Sequence, residues 1–148
     1  TLEVEIGEVG GKDGVHAPGV RTNPLEAKVF AEATGADLVA VAVGSSHAMT
    51  TRDATLDFDL IADIAATAKL PLVLHGSSGV SDADIQKAVR AGMSKINIAT
   101  HLNGVFTHEI RAALDENPKL VDPRKYVGLG RTAIADEVAR LLTLLNLR

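Results

Sequence analysis

Val43-Gly44-Ser45-Ser46-His47 and Leu72-Val73-Leu74-His75-Gly76-Ser77-Ser78-Gly79 each carry an apolar β-type run straight into a histidine and then into small residues. A histidine where a buried strand meets its loop is placed to hold a ligand, and neutral imidazole is the commonest protein ligand for zinc. His47 and His75 are far apart in sequence. Parallel strands ending side by side would bring both rings to one ion, each nitrogen about 2.0–2.1 Å from the metal. The chain contains no cysteine, which removes thiolate metal sites and disulfides.

Such a site needs a scaffold that aligns strand ends, and the sequence supplies one in four strand-then-helix units. Leu2 to Ile6 reads as a strand, followed by a glycine-rich segment from Gly7 to Thr22. Asn23-Pro24, an N-cap with proline at the first helical position, then opens a helix that Gly35 closes. Asp37 to Val43 is a near-continuous apolar strand. The loop holding His47 leads to a helix from about Asp57, with Phe58, Leu60, Ile61 and Ile64 on its inner side. Leu72 to Leu74 is the third strand. Ser81 with Asp84 resembles a capping box, and the helix behind it stops at Ala91-Gly92. The fourth strand is expected over Lys95 to Ile98. A helix from about Leu102 to Leu114, a polar connector over Asp122 to Tyr126 and a last helix from about Thr132 to Leu145 complete the pattern.

Strands alternating with helices at this spacing require a parallel sheet, because a crossover helix joins parallel neighbours. No Gly-x-Gly-x-x-Gly turn marks a dinucleotide-binding open sheet. The expected fold class is therefore α/β, a (β/α)₈ TIM barrel. A whole barrel takes about 250 residues, so residues 1–148 are expected to be the C-terminal half of a single barrel domain, beginning in mid-strand with the N-terminal half absent.

Composition narrows the functional classes. With 46% hydrophobic and 23% charged residues, a formal net charge of −4 and no basic cluster, the chain reads as globular and offers nothing to nucleic acid. It has no long apolar run and no signal-peptide pattern, so no membrane partner is expected and the expected compartment is the cytoplasm. Aromatics are only 3%, which fits a core of Val, Ile, Leu and Ala on both faces of a parallel sheet.

Several longer segments then carry a resemblance. Glu3-Val4-Glu5-Ile6-Gly7 with Gly10-Gly11, Gly44-Ser45-Ser46-His47, Leu74 to Val80, Lys95-Ile96-Asn97-Ile98-Ala99-Thr100 and Asp122-Pro123-Arg124-Lys125-Tyr126 are similar, in order and spacing, to the class II ketose-bisphosphate aldolases. That family comprises zinc-dependent (β/α)₈ enzymes, among them the fructose- and tagatose-1,6-bisphosphate aldolases. The resemblance implies reversible cleavage of a ketose 1,6-bisphosphate, here fructose 1,6-bisphosphate, to dihydroxyacetone phosphate and glyceraldehyde 3-phosphate by a homodimer or homotetramer.

The resemblance also implies roles for residues. His47 and His75 match two of three zinc ligands, and Glu5 matches a carboxylate associated with a second, more labile cation position. Gly76, Ser77 and Ser78, with Asn97, Ile98, Ala99 and Thr100, match the segments binding the phosphate of the dihydroxyacetone-phosphate half. Small residues let backbone N–H groups approach phosphate oxygens, and barrels often bind phosphate after their last two strands. Arg131 matches an arginine that reaches the other phosphate. Ala48 stands where many relatives have a glycine whose backbone approaches the substrate. Asp13, in Gly10-Gly11-Lys12-Asp13-Gly14, is the candidate acid/base in a loop that glycines would let close over substrate. Zinc would supply the Lewis acid, so no Schiff-base lysine is required.

Other residues carry simpler readings. Glu3 and Glu5 share one face of their strand, so a structural ion pair is expected of one of them. His16, His101 and His108 match no motif and read as surface or helix residues, Arg111, Asp115 and Glu116 as a solvated helix face, and Met49 to Thr55 as no known motif. The family's His-x-Asp-His-like segment is absent, since no histidine here is preceded by aspartate. Three alternatives stay open: a non-catalytic aldolase-like subunit that binds sugar phosphate, a tagatose-bisphosphate aldolase, and an unrelated metal-dependent hydrolase.

A half barrel leaves unpaired strands at both sheet edges and an uncovered interior, both prone to association in water. The purified 148-residue chain is therefore expected to be inactive towards fructose 1,6-bisphosphate with zinc, and unstable or aggregated unless a complementary half or a second copy covers those edges. A stable monomer with ordinary aldolase turnover would exclude the family mechanism.

Overall fold

The computed structural model describes residues 1–7 and 20–147, so Asp13 and the glycine-rich segment around it lie outside the described residues. The chain forms two compact units, Thr1–Ile98 and Ala99–Arg148.

The first unit runs β1 (Glu3–Ile6), α1 (Pro24–Thr34), β2 (Leu38–Val41), α2 (Phe58–Ala68), β3 (Leu72–Leu74), a 3₁₀ turn over Ser77–Gly79, α3 (Asp82–Ala91) and β4 (Met93–Ile96). The four strands form one parallel sheet in the order β1-β2-β3-β4. Strand order equals chain order, with no reversal. A doubly wound sheet would change direction at a switch point, so this is the winding of half a (β/α)₈ barrel.

Helix starts follow the local chemistry. The Asn23 side chain accepts from the amides of Leu25 and Glu26, Asp57 accepts from Leu60 N, and Ser81 accepts from Asp84 N. Ser81 also donates its hydroxyl to Asp84 at 2.9 Å, in place of the reciprocal bond of a full capping box. Gly35 ends α1 in the left-handed region.

The register divides the sheet into two faces. Glu3 pairs with Leu38, Glu5 with Ala40, Ala40 with Val73, and Val73 with Lys95. Register partners in a parallel ladder point to the same side, so these residues share one face. Val39, Val41, Leu72, Leu74 and Met93 form the opposite face and are buried. Ala27, Ala31, Ile61, Ile64, Ile85 and Ala88 of the three helices are buried with them.

Two strands differ from expectation. β2 stops at Val41 because Ala42 exchanges bonds with Thr22, whose hydroxyl accepts from Ala42 N at 2.8 Å and whose amide donates to Ala42 O at 2.9 Å. β4 starts two residues early, at Met93, and contains an irregularity. Leu72 pairs with Met93 but Val73 pairs with Lys95, leaving Ser94 as the extra residue of a bulge. Without it, Lys95 would face the apolar side.

The second unit is a helical hairpin of α4 (Thr100–Glu116) and α5 (Pro123–Leu145). The expected connector over Asp122 to Tyr126 is the first turn of α5. Asp122 caps it by accepting from Arg124 N, and Pro123 takes the first helical position. The first turn of α4 meets α5 through this contact: Glu137 receives two hydrogen bonds from Arg140 at 2.9 and 2.7 Å and lies 2.7 Å from His101 Nε2. No helix among the described residues is long and apolar enough to cross a membrane.

The Arg140 guanidinium holds the Glu137 carboxyl down at about 2, from an ordinary 4.5, against a raising effect of burial and with help from His101. A carboxyl depressed on folding contributes stability that is present above its unfolded pKa and lost as pH falls towards the folded one. Between pH 5 and pH 2.5 the wild-type chain is expected to lose about 1 kcal/mol more unfolding free energy than Glu137→Gln, after discounting for partial exposure. Equal losses in urea titrations at the two pH values would refute this.

Candidate metal centre

The C-terminal ends of β1, β2 and β3 are tied together by buried hydroxyls. Thr22, 4% exposed, donates to Ile6 O at 3.0 Å while pairing with Ala42, and so joins the ends of β1 and β2. Ser45, 6% exposed, donates to His75 O at 2.6 Å, joining the β2 loop to the end of β3. Ser77, 1% exposed, donates to Asn97 O at 2.5 Å, joining the β3 loop to the residue after β4. Asn97 N in turn donates to Leu74 O at 3.0 Å.

These ties bring the loops into close contact. Gly76 has φ +66°, and a Cβ there would lie 2.6 Å from the carbonyl carbon and oxygen of Ser46. The stretch Met49 to Thr55, unreadable as a motif, fastens the same loops: Ala54 N donates to Gly79 O at 3.0 Å. The Arg52 guanidinium donates to Val80 O at 2.9 and 2.7 Å and to Asp82 at 2.5 Å. Only folding juxtaposes these residues, so no local signal announces them. Ala48, adjacent to His47, adopts φ +58°, a conformation that favours glycine.

The expected ligands meet at this rim. The His47 and His75 rings lie 5.7 Å apart, centroid to centroid, at 59°. Glu5 Oε2 is 3.2 Å from His75 Nδ1, and Glu5 Oε1 is 3.9 Å from His47 Nε2. One donor atom from each of Glu5, His47 and His75 falls within 4.8 Å of the other two. Two imidazoles and a carboxylate form a nitrogen/oxygen donor set suited to zinc, and three protein ligands leave a coordination position for another group.

Glu3 supplies the ion pair expected on this strand. Its Oε1 lies 3.1 Å from His75 Nε2 and its Oε2 accepts from Lys95 Nζ at 2.5 Å. The Lys95 hydrogen bond holds the Glu3 carboxyl below its ordinary range, opposed by burial and aided by His75.

Of the expected phosphate residues, Gly76, Ser77 and Ser78 form the turn after β3, with Asn97 bonded to that turn. The Ser77 hydroxyl is occupied by Asn97 O. Ile98 ends the first unit; Ala99, Thr100 and Arg131 belong to the second. Thr100 opens α4, the one described α-helix whose start has no side-chain cap. Arg131 is an exposed residue of α5.

Comparison with known proteins follows the same lines. The model of the family described as fructose-bisphosphate aldolase class II matches residues 1–148. Among solved structures, the YdjI aldolase of Escherichia coli K12 is 34% identical with a TM-score of 0.72, over 85% of this chain and 46% of that one. A putative fructose-1,6-bisphosphate aldolase from Coccidioides immitis is 25% identical with a TM-score of 0.81, over 97% of this chain and 51% of that one. The fructose-bisphosphate aldolase of Campylobacter jejuni, 23% identical, shares the fold at a TM-score of 0.76, over 98% and 51%. The chain thus spans about half the length of each.

Two backbone substitutions should act in opposite directions. Ala48→Gly relieves a left-handed residue and is expected to raise stability by about 1 kcal/mol. Gly76→Ala places a methyl group against the Ser46 backbone and is expected to lower it by at least about 2 kcal/mol. Chemical denaturation of the two variants checks both signs, and a neutral Gly76→Ala would show that the loops do not pack as described.

Proposed function

The chain belongs to the class II fructose-bisphosphate aldolase family, and on that premise we propose that it contributes His47 and His75 to a zinc site that cleaves fructose 1,6-bisphosphate, with Glu5 beside them at a second cation position. The products are dihydroxyacetone phosphate and glyceraldehyde 3-phosphate. The observation that carries this reading is the cluster of Glu5, His47 and His75 donor atoms at the C-terminal rim of three adjacent strands, the end where barrel enzymes place their chemistry. Zinc, when bound, supplies a Lewis acid that withdraws electrons from the ketose carbonyl.

The chain's own residues bind and orient. His47 and His75 hold the metal; Glu5, more exposed than His75, serves a second, labile cation position. Backbone groups of Gly76, Ser77 and Ser78, with Asn97, Ile98, Ala99 and Thr100, take the phosphate of the dihydroxyacetone-phosphate half. Ala48 lies beside the substrate and Arg131 serves the second phosphate. When the C3–C4 bond breaks, the C4-hydroxyl proton goes to an aspartate this chain does not carry. The electron pair left on C3 takes a proton from Asp13.

Residues 1–148 act in this reading as the C-terminal half of one barrel domain, within a cytoplasmic homodimer or homotetramer. The N-terminal half supplies the third histidine and the aspartate.

The test joins the chain to the N-terminal half of a homologous aldolase barrel and assays cleavage of fructose and tagatose 1,6-bisphosphates. Zinc-dependent release of dihydroxyacetone phosphate is expected, abolished by chelation and lowered at least about 10³-fold in kcat/KM by His47→Ala or His75→Ala. Cleavage that survives in metal-free His75→Ala protein would reject the mechanism, and preference for the tagatose ester would reassign the substrate.

A further inference from the structure

We propose that Glu3, braced by Lys95, is a positioning residue that sets the orientation and tautomer of His75 and thereby the metal affinity of the site. This rests on the zinc reading of Glu5, His47 and His75 and extends it to a residue outside that donor set.

The imidazole of His75 has a carboxylate at each nitrogen: Glu3 Oε1 at 3.1 Å from Nε2 and Glu5 Oε2 at 3.2 Å from Nδ1. Nδ1 is the nitrogen that faces Glu5, a residue of the three-donor cluster. A proton held on Nε2 by Glu3 leaves the Nδ1 lone pair directed at the cation position. A histidine ligand commonly donates its second ring N–H to a carboxylate in this way, which fixes the ring and raises its basicity.

The brace is built into the sheet. β1 and β4 are its two edges, with β2 and β3 between them, yet Glu3 Oε2 and Lys95 Nζ are 2.5 Å apart. The bulge at Ser94 turns Lys95 onto the face that carries Glu3. Lys95 occupies the second carboxylate oxygen, fixes its plane and offsets its charge, so that Glu3 orients His75 without competing for the cation. An ion pair serving stability alone would need no imidazole on the other oxygen. Glu3 and His75 are 24% and 17% exposed at their side chains, so water competes weakly for this contact.

Binding of Co²⁺ to the chain joined to the N-terminal half of a homologous aldolase barrel, followed by its visible absorption, and of Zn²⁺, by competition with a chromophoric chelator, tests the proposal without any assay of activity. Glu3→Ala is expected to weaken both ions about 10–100-fold. Glu3→Gln, which keeps an acceptor, should recover part of the loss, and Lys95→Met should fall between. The ¹⁵N shifts of the His75 ring should report a single Nε2–H tautomer in the metal-free wild type and a mixture in Glu3→Ala. Wild-type affinity in a folded Glu3→Ala chain would overturn the positioning role while leaving the metal site intact. Loss of affinity that merely parallels loss of far-ultraviolet circular dichroism in all three variants would also overturn it, assigning Glu3 to stability. A wild type that binds neither ion would instead remove the zinc reading, and this inference with it.

Discussion

A parallel sheet that builds a site at its strand ends must satisfy the backbone groups that remain where each ladder stops. Leaving one buried and unpaired costs about 1–3 kcal/mol, and this chain meets the requirement with hydroxyls. Thr22, Ser45 and Ser77 are the buried polar residues among those described, and each ties one strand end or its loop to the next. No buried side-chain polar atom among the described residues lacks a partner. The positions of His47 and His75 follow from these bonds, since Ser45 holds the His75 carbonyl two residues before His47 itself.

The two faces of the sheet divide the work. The apolar face, with Val39, Val41, Leu72, Leu74 and Met93 buried beside the helices, supplies the hydrophobic stabilisation. The other face carries Glu3, Glu5 and Lys95, which would be costly in a closed apolar core unless paired. They are paired, with one another and with the histidines. A single bulge in β4 makes that possible, because one extra residue moves a lysine from one side of the sheet to the other. Arg52 adds a third kind of support by holding the β2 loop to the start of α3.

The sequence by itself determined the order and type of the elements. Periodicity, Asn23-Pro24, Ser81 and Gly92 located most helix ends, because capping is local chemistry between residues at most four apart. Asp122-Pro123 carried the same signal as Asn23-Pro24; in a polar stretch it reads as a connector, although it starts α5. The strand-end histidines were legible for the same reason, since an apolar run followed by histidine and small residues is contiguous.

Tertiary structure decided whatever depends on register and on loops meeting. Glu5 and not Glu3 joins the three-donor cluster, although both carboxylates lie beside His75 at 3.2 and 3.1 Å and strand periodicity places both on the same face. The Ser94 bulge, the left-handed Ala48 and the Arg52 bonds have no sequence signature. Each is set by partners at least 20 positions away or by a backbone torsion that composition does not encode. Hydrophobic patterning fixes which side of an element is buried; the angstrom-scale convergence of loops is fixed only when specific hydrogen bonds close between them.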